Sequence, residues 1–242
     1  LIDHSISYLR SFINSVEKKF PEYNQVVHTA GKDSQLIHLI PKINSEKWHV
    51  FSSDPNAPLV EKWLKQNDIE FKEFFVHNNN NDEDLDFLIM KLVNSDCIGN
   101  PEHIRWTKRL IEISNHFANK CIFWLGTIGD TIYSIHNDYA KNNYSDYFKV
   151  HYSRASSWQG NCHQTYFNST NSPCLSVYHS KEIWENVYQR LDPSCVHNDL
   201  REKLGENLAR KKIFWLDENP GPPPWIIDHD LKRNLLNIYI GW

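Results

Sequence analysis

Glycine is scarce, at 8 of 242 residues, which excludes collagen-like and glycine-rich repeat folds. No run of 18 or more apolar residues occurs, so no transmembrane helix and no membrane partner are expected. No Cys-x-x-Cys pair occurs either. The five cysteines, Cys97, Cys121, Cys162, Cys174 and Cys195, are odd in number and widely spaced. They make a poor disulfide framework and a poor thiolate zinc site, and are read as reduced thiols of a cytoplasmic protein. An excess of positive charge is missing. With 26 basic and 30 acidic residues the formal charge is −4, which argues against a general nucleic-acid binder. A basic segment leading into an apolar one is absent, so no signal peptide is read in these residues. The chain starts at Leu1 and is read as a processed product, a trimmed form or a fragment. The sequons at Asn143 and Asn168 are read as chance matches in an asparagine-rich chain.

Hydrophobic residues make up 40% and charged residues 23%, enough for a packed core in one large domain, or one domain with a helical appendage. Aromatics reach 13%, with 9 Trp, a composition suited to core filling or to stacking on flat groups. Apolar spacing predicts a helix over 3–19, with Ile6, Leu9, Ile13 and Val16 on its buried side and Glu17, Lys18 and Lys19 polar. Strands follow at 25–28, 48–52, 70–76 and 121–125. Helices are read at 35–40, 57–66, 84–93, 101–117, 181–190 and 197–211, and a surface loop at 77–82. Strand–helix alternation implies an α/β fold, an open parallel sheet with helices on both faces. The alternation fades after about 131. This divides the chain into an α/β core at 1–135 and a mainly helical region at 136–242, which the resemblance described below would make nucleotide-binding and substrate-binding.

In open α/β sheets ligands bind beyond the carboxyl ends of the strands. The turn Thr29-Ala30-Gly31-Lys32-Asp33-Ser34 stands there, after the first strand. Gly31 lets a ligand approach the backbone, and the helix start behind it presents N–H groups suited to phosphate. Thr29 and Ser34 add hydroxyls and Lys32 a charge. Asp33 beside a phosphate points to an intervening magnesium ion, or else to a helix cap. A Walker A loop is excluded, because Val26 stands at the first glycine position and Asp33 follows Lys32. A dinucleotide fingerprint is excluded because only Gly31 is present.

The turn resembles the S-G-G-x-D-S loop of the PP-loop ATP pyrophosphatases. Thr29 stands for the serine, Ala30 and Gly31 for the two glycines, Lys32 for the variable position, and Asp33-Ser34 for the final pair. The run from Phe123 to Ile132 resembles the S-G-E-G-A-D-E loop of the asparagine synthetase branch. Gly126 and Asp130 match, while Thr127, Gly129 and Thr131 replace Glu, Ala and Glu. The resemblance implies a Rossmann-like, adenine nucleotide alpha hydrolase-like fold. It also implies ATP with Mg2+ cleaved between the α- and β-phosphates, a carboxylate substrate adenylated, and an amide formed with ammonia or an amine. Thr29, Ala30, Gly31, Lys32, Asp33, Ser34, Gly126 and Thr127 would hold the nucleotide. Asp33 and Asp130 would hold the metal. The resemblance places adenine near Phe51, which is equally readable as core. Asp54 is readable as a ribose contact or a helix cap. With 28 residues ahead of Thr29 and the first cysteine at Cys97, the expectation is a synthetase half without a glutaminase domain, nitrogen arriving free or from a separate ammonia-supplying or scaffold protein.

The asparagine synthetase branch also uses a C-terminal lysine against phosphate charge. Lys181, Lys203, Lys211, Lys212 and Arg154 are candidates, with Lys211 taken as catalytic alongside Lys32, Asp33 and Asp130. His151, Cys162 and His163 lack ligand spacing and read as surface loop. Two alternatives stay open: another PP-loop chemistry, on a sulfonucleotide or a nucleobase, and a nucleotide-binding protein without catalysis.

Overall fold

A computed structural model describes residues 1–78, 106–127, 129–133, 167, 170–187, 190 and 200–216, with the backbone only at 130 and 131. Outside the described residues lie the expected 84–93 helix, most of the asparagine loop and the start of the 101–117 helix. Arg154, His151, Cys162, His163 and the proline-rich stretch from Asn219 lie outside them too, as do the apolar end from Asn234 and the asparagines of both sequons.

The elements run α1 (Ile2–Lys19), β1 (Asn24–His28), α2 (Lys32–Leu39), a 3-10 turn (Ser45–Lys47), β2 (Trp48–Ser53), α3 (Ala57–Gln66), β3 (Phe74–His77), α4 (Thr107–His116), β4 (Cys121–Leu125), α5 (Gly129–Tyr133), β5 (Cys174–Leu175), α6 (Lys181–Asn186) and α7 (Leu200–Ala209). The fold is α/β. Its open sheet has the order β3-β2-β1-β4-β5, and every pair is parallel.

Strands β2 and β4 are buried along their whole length, as a sheet covered on both sides requires. Alternate residues divide between two cores. Val27, Val50, Ile122 and Trp124 face α1, α2, α3 and α7. Val26, Phe51, Phe123 and Leu125 face Trp106, Leu110 and Ile113 at and along α4. Most of the aromatic excess fills these cores: Trp63, Trp124, Phe51 and Phe123 are fully buried, and Trp48 stacks on Trp124 at 5.6 Å.

Two sequence expectations are corrected. Helix α2 starts at Lys32 rather than Gln35, because Ser34 stabilises the opening turn. Its Oγ accepts from Ala30 N at 3.0 Å and donates to the Gly31 carbonyl at 2.9 Å. Glu17 is buried rather than surface-polar. It continues the buried stripe of Ser5, Leu9 and Ile13, spaced by four, and its carboxylate accepts from Ile43 N, Asn44 N and Trp48 Nε1. That charge is tolerated inside because donors satisfy it. β5 forms the sheet edge beside β4, with Phe123 paired to Cys174 and Trp124 to Leu175. Two residues are too short for a period-2 signal to register in sequence.

Candidate functional site

Strand order reverses between β1 and β4, the third and fourth strands of the sheet. Crevices at such points, beyond the carboxyl ends of the strands, are the binding loci of open α/β sheets. Strands β1 and β4 are direct neighbours, His28 opposite Leu125. The turn from Thr29 and the turn from Gly126 therefore leave the sheet side by side. The two sequence-nominated loops share one locus.

The first turn is locked into the sheet. Thr29 is buried, and its N–H donates to the Phe51 carbonyl at 2.8 Å. Its own carbonyl accepts from Ser52 Oγ at 2.7 Å. Its hydroxyl donates to the Val27 carbonyl at 3.2 Å and meets His38 Nε2 at 2.7 Å. Burial, with the nearby Lys42 charge, pushes His38 down to about 3, so its ring is neutral at physiological pH. Gly31 sits at the helix cap with φ −96° and ψ −172°, extended backbone open to any residue. Behind it the N–H groups of Lys32, Asp33 and Ser34 have no acceptor within the helix. They form the positive end of the helix dipole, which favours an anion.

The glycines that this geometry does require lie in the other loop. A Cβ on Gly126 would come within 2.4 Å of Ser34 N and 2.7 Å of Asp33 C, both backbone atoms. One on Gly129 would meet Asp33 Cγ at 2.8 Å and Tyr178 Cε2 at 2.9 Å. The second loop thus lies directly on the opening turn of α2. Asp130 follows Gly129 at the start of α5, so its backbone is adjacent to a residue touching Asp33. The Asp130 and Thr131 side chains lie outside the described residues.

Two further segments close on the same turn, both from beyond residue 135. After β5, Tyr178 donates its hydroxyl to the Asp33 carbonyl at 2.7 Å. Burial foremost, then the Asp33 charge, hold that phenol well above its ordinary 10, so it stays a donor. Ser176 donates to the Thr127 carbonyl at 3.3 Å, and Thr127 Oγ1 lies 3.2 Å from His179 Nε2. From α7, Arg201 Nη1 meets Asp33 Oδ1 at 2.5 Å, and Glu202 Oε1 accepts from Lys32 Nζ at 2.5 Å.

Thr29, Ala30, Gly31, Lys32, Asp33, Ser34, Gly126, Thr127 and the backbone of Asp130 are therefore gathered at one place. Phe51 and Lys211 are not. The Phe51 ring is fully buried, 4.7 Å from that of His28, and only its carbonyl serves the turn. Lys211 donates to the Asn67 carbonyl at the C-terminus of α3 and lies 3.5 Å from Asp68 Oδ2. Helix α3 runs back from the end of β2 toward the start of β3, so this contact sits at the amino ends of the strands, opposite the crevice. At the helix cap, Asn56 precedes α3 in the position that Asp54 was read to fill.

Tyr178, Ser176, His179, Arg201 and Glu202 carried no sequence signal. Arg201 stands 168 residues from Asp33 and Glu202 170 from Lys32, and single-sequence periodicity reports only local structure.

The donor set fits a phosphate group: two cations, Lys32 and Arg201, beside the helix-start N–H groups. For magnesium the described side chains supply Asp33, which Arg201 already engages. Among the described residues no cluster of three or more His, Cys, Asp or Glu could hold a metal, and no helix is long and apolar enough to cross a membrane. No protein-family model matches the chain, and a search of curated proteins returns no match.

Proposed function

We propose that the crevice between β1 and β4 binds ATP with Mg2+, and that the protein is an AMP-forming ligase that adenylates a carboxylate and passes it to ammonia or an amine. The single observation carrying this reading is the juxtaposition of the two loops that resemble PP-loop motifs, at the strand-order reversal of a parallel sheet. A Rossmann-like, adenine nucleotide alpha hydrolase-like topology is the finer fold reading that goes with it.

In this reading the opening turn of α2 holds the pyrophosphate end. Lys32 and the helix-start N–H groups neutralise charge that grows on the leaving pyrophosphate. The substrate carboxylate oxygen attacks the α-phosphorus, the bond to the β-phosphate oxygen breaks, and pyrophosphate departs. The amine nitrogen then attacks the acyl carbon, loses a proton and releases AMP. Asp33 and Asp130 would hold the magnesium, whose role is charge neutralisation on the phosphates. Arg201 must yield part of its hold on Asp33 for that. The protein supplies mostly positioning, which Tyr178 and Ser176 secure by tying the later chain to both loops. The free Cys121 thiol suits a cytoplasmic setting, and burial raises it, which makes it a packing group rather than a nucleophile.

The Arg201–Asp33 pair favours one alternative specifically, a nucleotide-binding protein without catalysis, since a carboxylate committed to arginine is a poor cation ligand. The two separate in one experiment. The protein is incubated with ATP and Mg2+ and a panel of carboxylates and amines, while AMP and pyrophosphate are followed. The ligase reading expects AMP formation that Asp33→Asn and Asp130→Asn abolish without unfolding the protein. ATP bound yet never cleaved favours the binding protein, and full activity in either variant overturns the site assignment.

A further inference from the structure

Helices α2 and α7 meet through a crossed pair of charges. Position 32 is a cation and 33 an anion, while on α7 Arg201 is the cation and Glu202 the anion. Each side chain finds its opposite at 2.5 Å. The two contacts differ in their surroundings. Asp33 and Arg201 are 21% and 12% exposed, whereas Glu202 is 45% exposed against 19% for Lys32. The rest of α7 is held by other means. Leu204 and Leu208 are buried in the core shared with Leu36 and Leu39 of α2. Gly205 lies so close to Leu39 that a Cβ there would sit 2.9 Å from its Cδ1. Because 201–202 lie against 32–33 and 205 against 39, the helices run parallel, with both starting ends at the crevice.

We propose that Arg201 is a polyphosphate-binding residue of this crevice, and that Glu202 is a built-in competitor that an incoming phosphate displaces from Lys32. The inference rests on the phosphate reading above and adds to it a residue of α7 and a substrate-sensitive contact. Two carboxylates here occupy the two cations a polyphosphate would use. The exposed one, Glu202, is the weaker partner, since solvent screens it. The planar guanidinium of Arg201 suits two phosphate oxygens at once. The apolar seam lets the first turn of α7 change partners while the helix stays docked.

Titration calorimetry of the full chain with inorganic pyrophosphate and with ATP tests this. Glu202→Gln is expected to tighten pyrophosphate binding by about 2–5-fold, the reach of one partly exposed ion pair. Arg201→Gln is expected to weaken it by about 10-fold or more, with Arg201→Lys intermediate, as a charge-assisted contact is lost. Exposed Lys62→Gln on α3 is expected to match wild type. Thermal unfolding of each variant separates binding from folding, and if Arg201→Gln unfolds, Glu202→Gln carries the test alone. Wild type that binds pyrophosphate with an affinity that Glu202→Gln leaves unchanged overturns the inference while leaving the phosphate reading standing. Wild type that binds neither pyrophosphate nor ATP overturns both.

Discussion

Replacing Gly126 by alanine adds one methyl group where β4 leaves the sheet, and the consequence can be worked out. The new Cβ would lie 2.4 Å from Ser34 N, 2.7 Å from Asp33 C and 2.8 Å from Ser34 Cα. Ordinary contact begins at 3.4 Å, so the two backbones must part by 3.4 − 2.4 = 1.0 Å. Neither side yields easily. Leu125 is paired with His28 in the sheet, and Leu36 and Ile37 anchor α2 in the core. Overpacking of this kind costs about 1–3 kcal/mol. The entropy that alanine removes from the unfolded chain offsets about 0.4–1 kcal/mol of that. A net loss of about 1–2 kcal/mol lowers the urea midpoint by roughly 0.5–1 M at a slope of ~2 kcal/mol/M. Because the displaced atoms are the opening turn itself, phosphate affinity should fall by about 10²-fold, the effect of an ångström of misplacement in a positioned site. Urea unfolding and pyrophosphate titration on the same preparation read both. A variant with the wild-type midpoint and wild-type affinity would refute the close approach of the two loops.

Two further outcomes follow from the same contacts. Tyr178→Phe removes the donor to the Asp33 carbonyl and should cost about 1–2 kcal/mol in thermal unfolding. The wild-type phenol is neutral in the fold beyond its ordinary 10, so the unfolded chain alone ionises above pH 10 and stability falls there; the variant should show a shallower alkaline decline. For His38, lowered from 6.5 to about 3, the unfolded chain gains a proton that the fold refuses. Stability present above pH 6.5 is therefore lost as pH falls toward 3, at up to about 1.4 kcal/mol per pH unit. His38→Gln should flatten that acid limb in denaturation curves taken from pH 7 to pH 4, and an unchanged slope would count against a buried neutral ring.

Compact apolar runs at Trp48–Ser53 and Cys121–Leu125 and helical spacing in α1 and α3 were legible because each is a local pattern repeated over several residues. Both loops were legible for the same reason: each is a short motif placed immediately after a strand. The start of α2 was not, since Ser34 satisfies it through contacts invisible to periodicity. Lys211 misled because a lysine's role depends on what its long side chain reaches. It reaches Asn67 at the far end of the sheet, whereas the cation brought to Asp33 is Arg201. Phe51 was open between ligand slot and core, and burial on the α4 side makes it core.

Residue order alone was enough for the α/β class and for the place of the two turns, because strand and helix periods and the residues that follow a strand are properties of neighbours in the chain. Strand order, the burial of Glu17, the edge strand at Cys174–Leu175 and the closing of Tyr178, Arg201 and Glu202 on one turn came only with the tertiary structure. Contacts across more than a hundred residues depend on which surfaces pack together, and no local pattern records that choice.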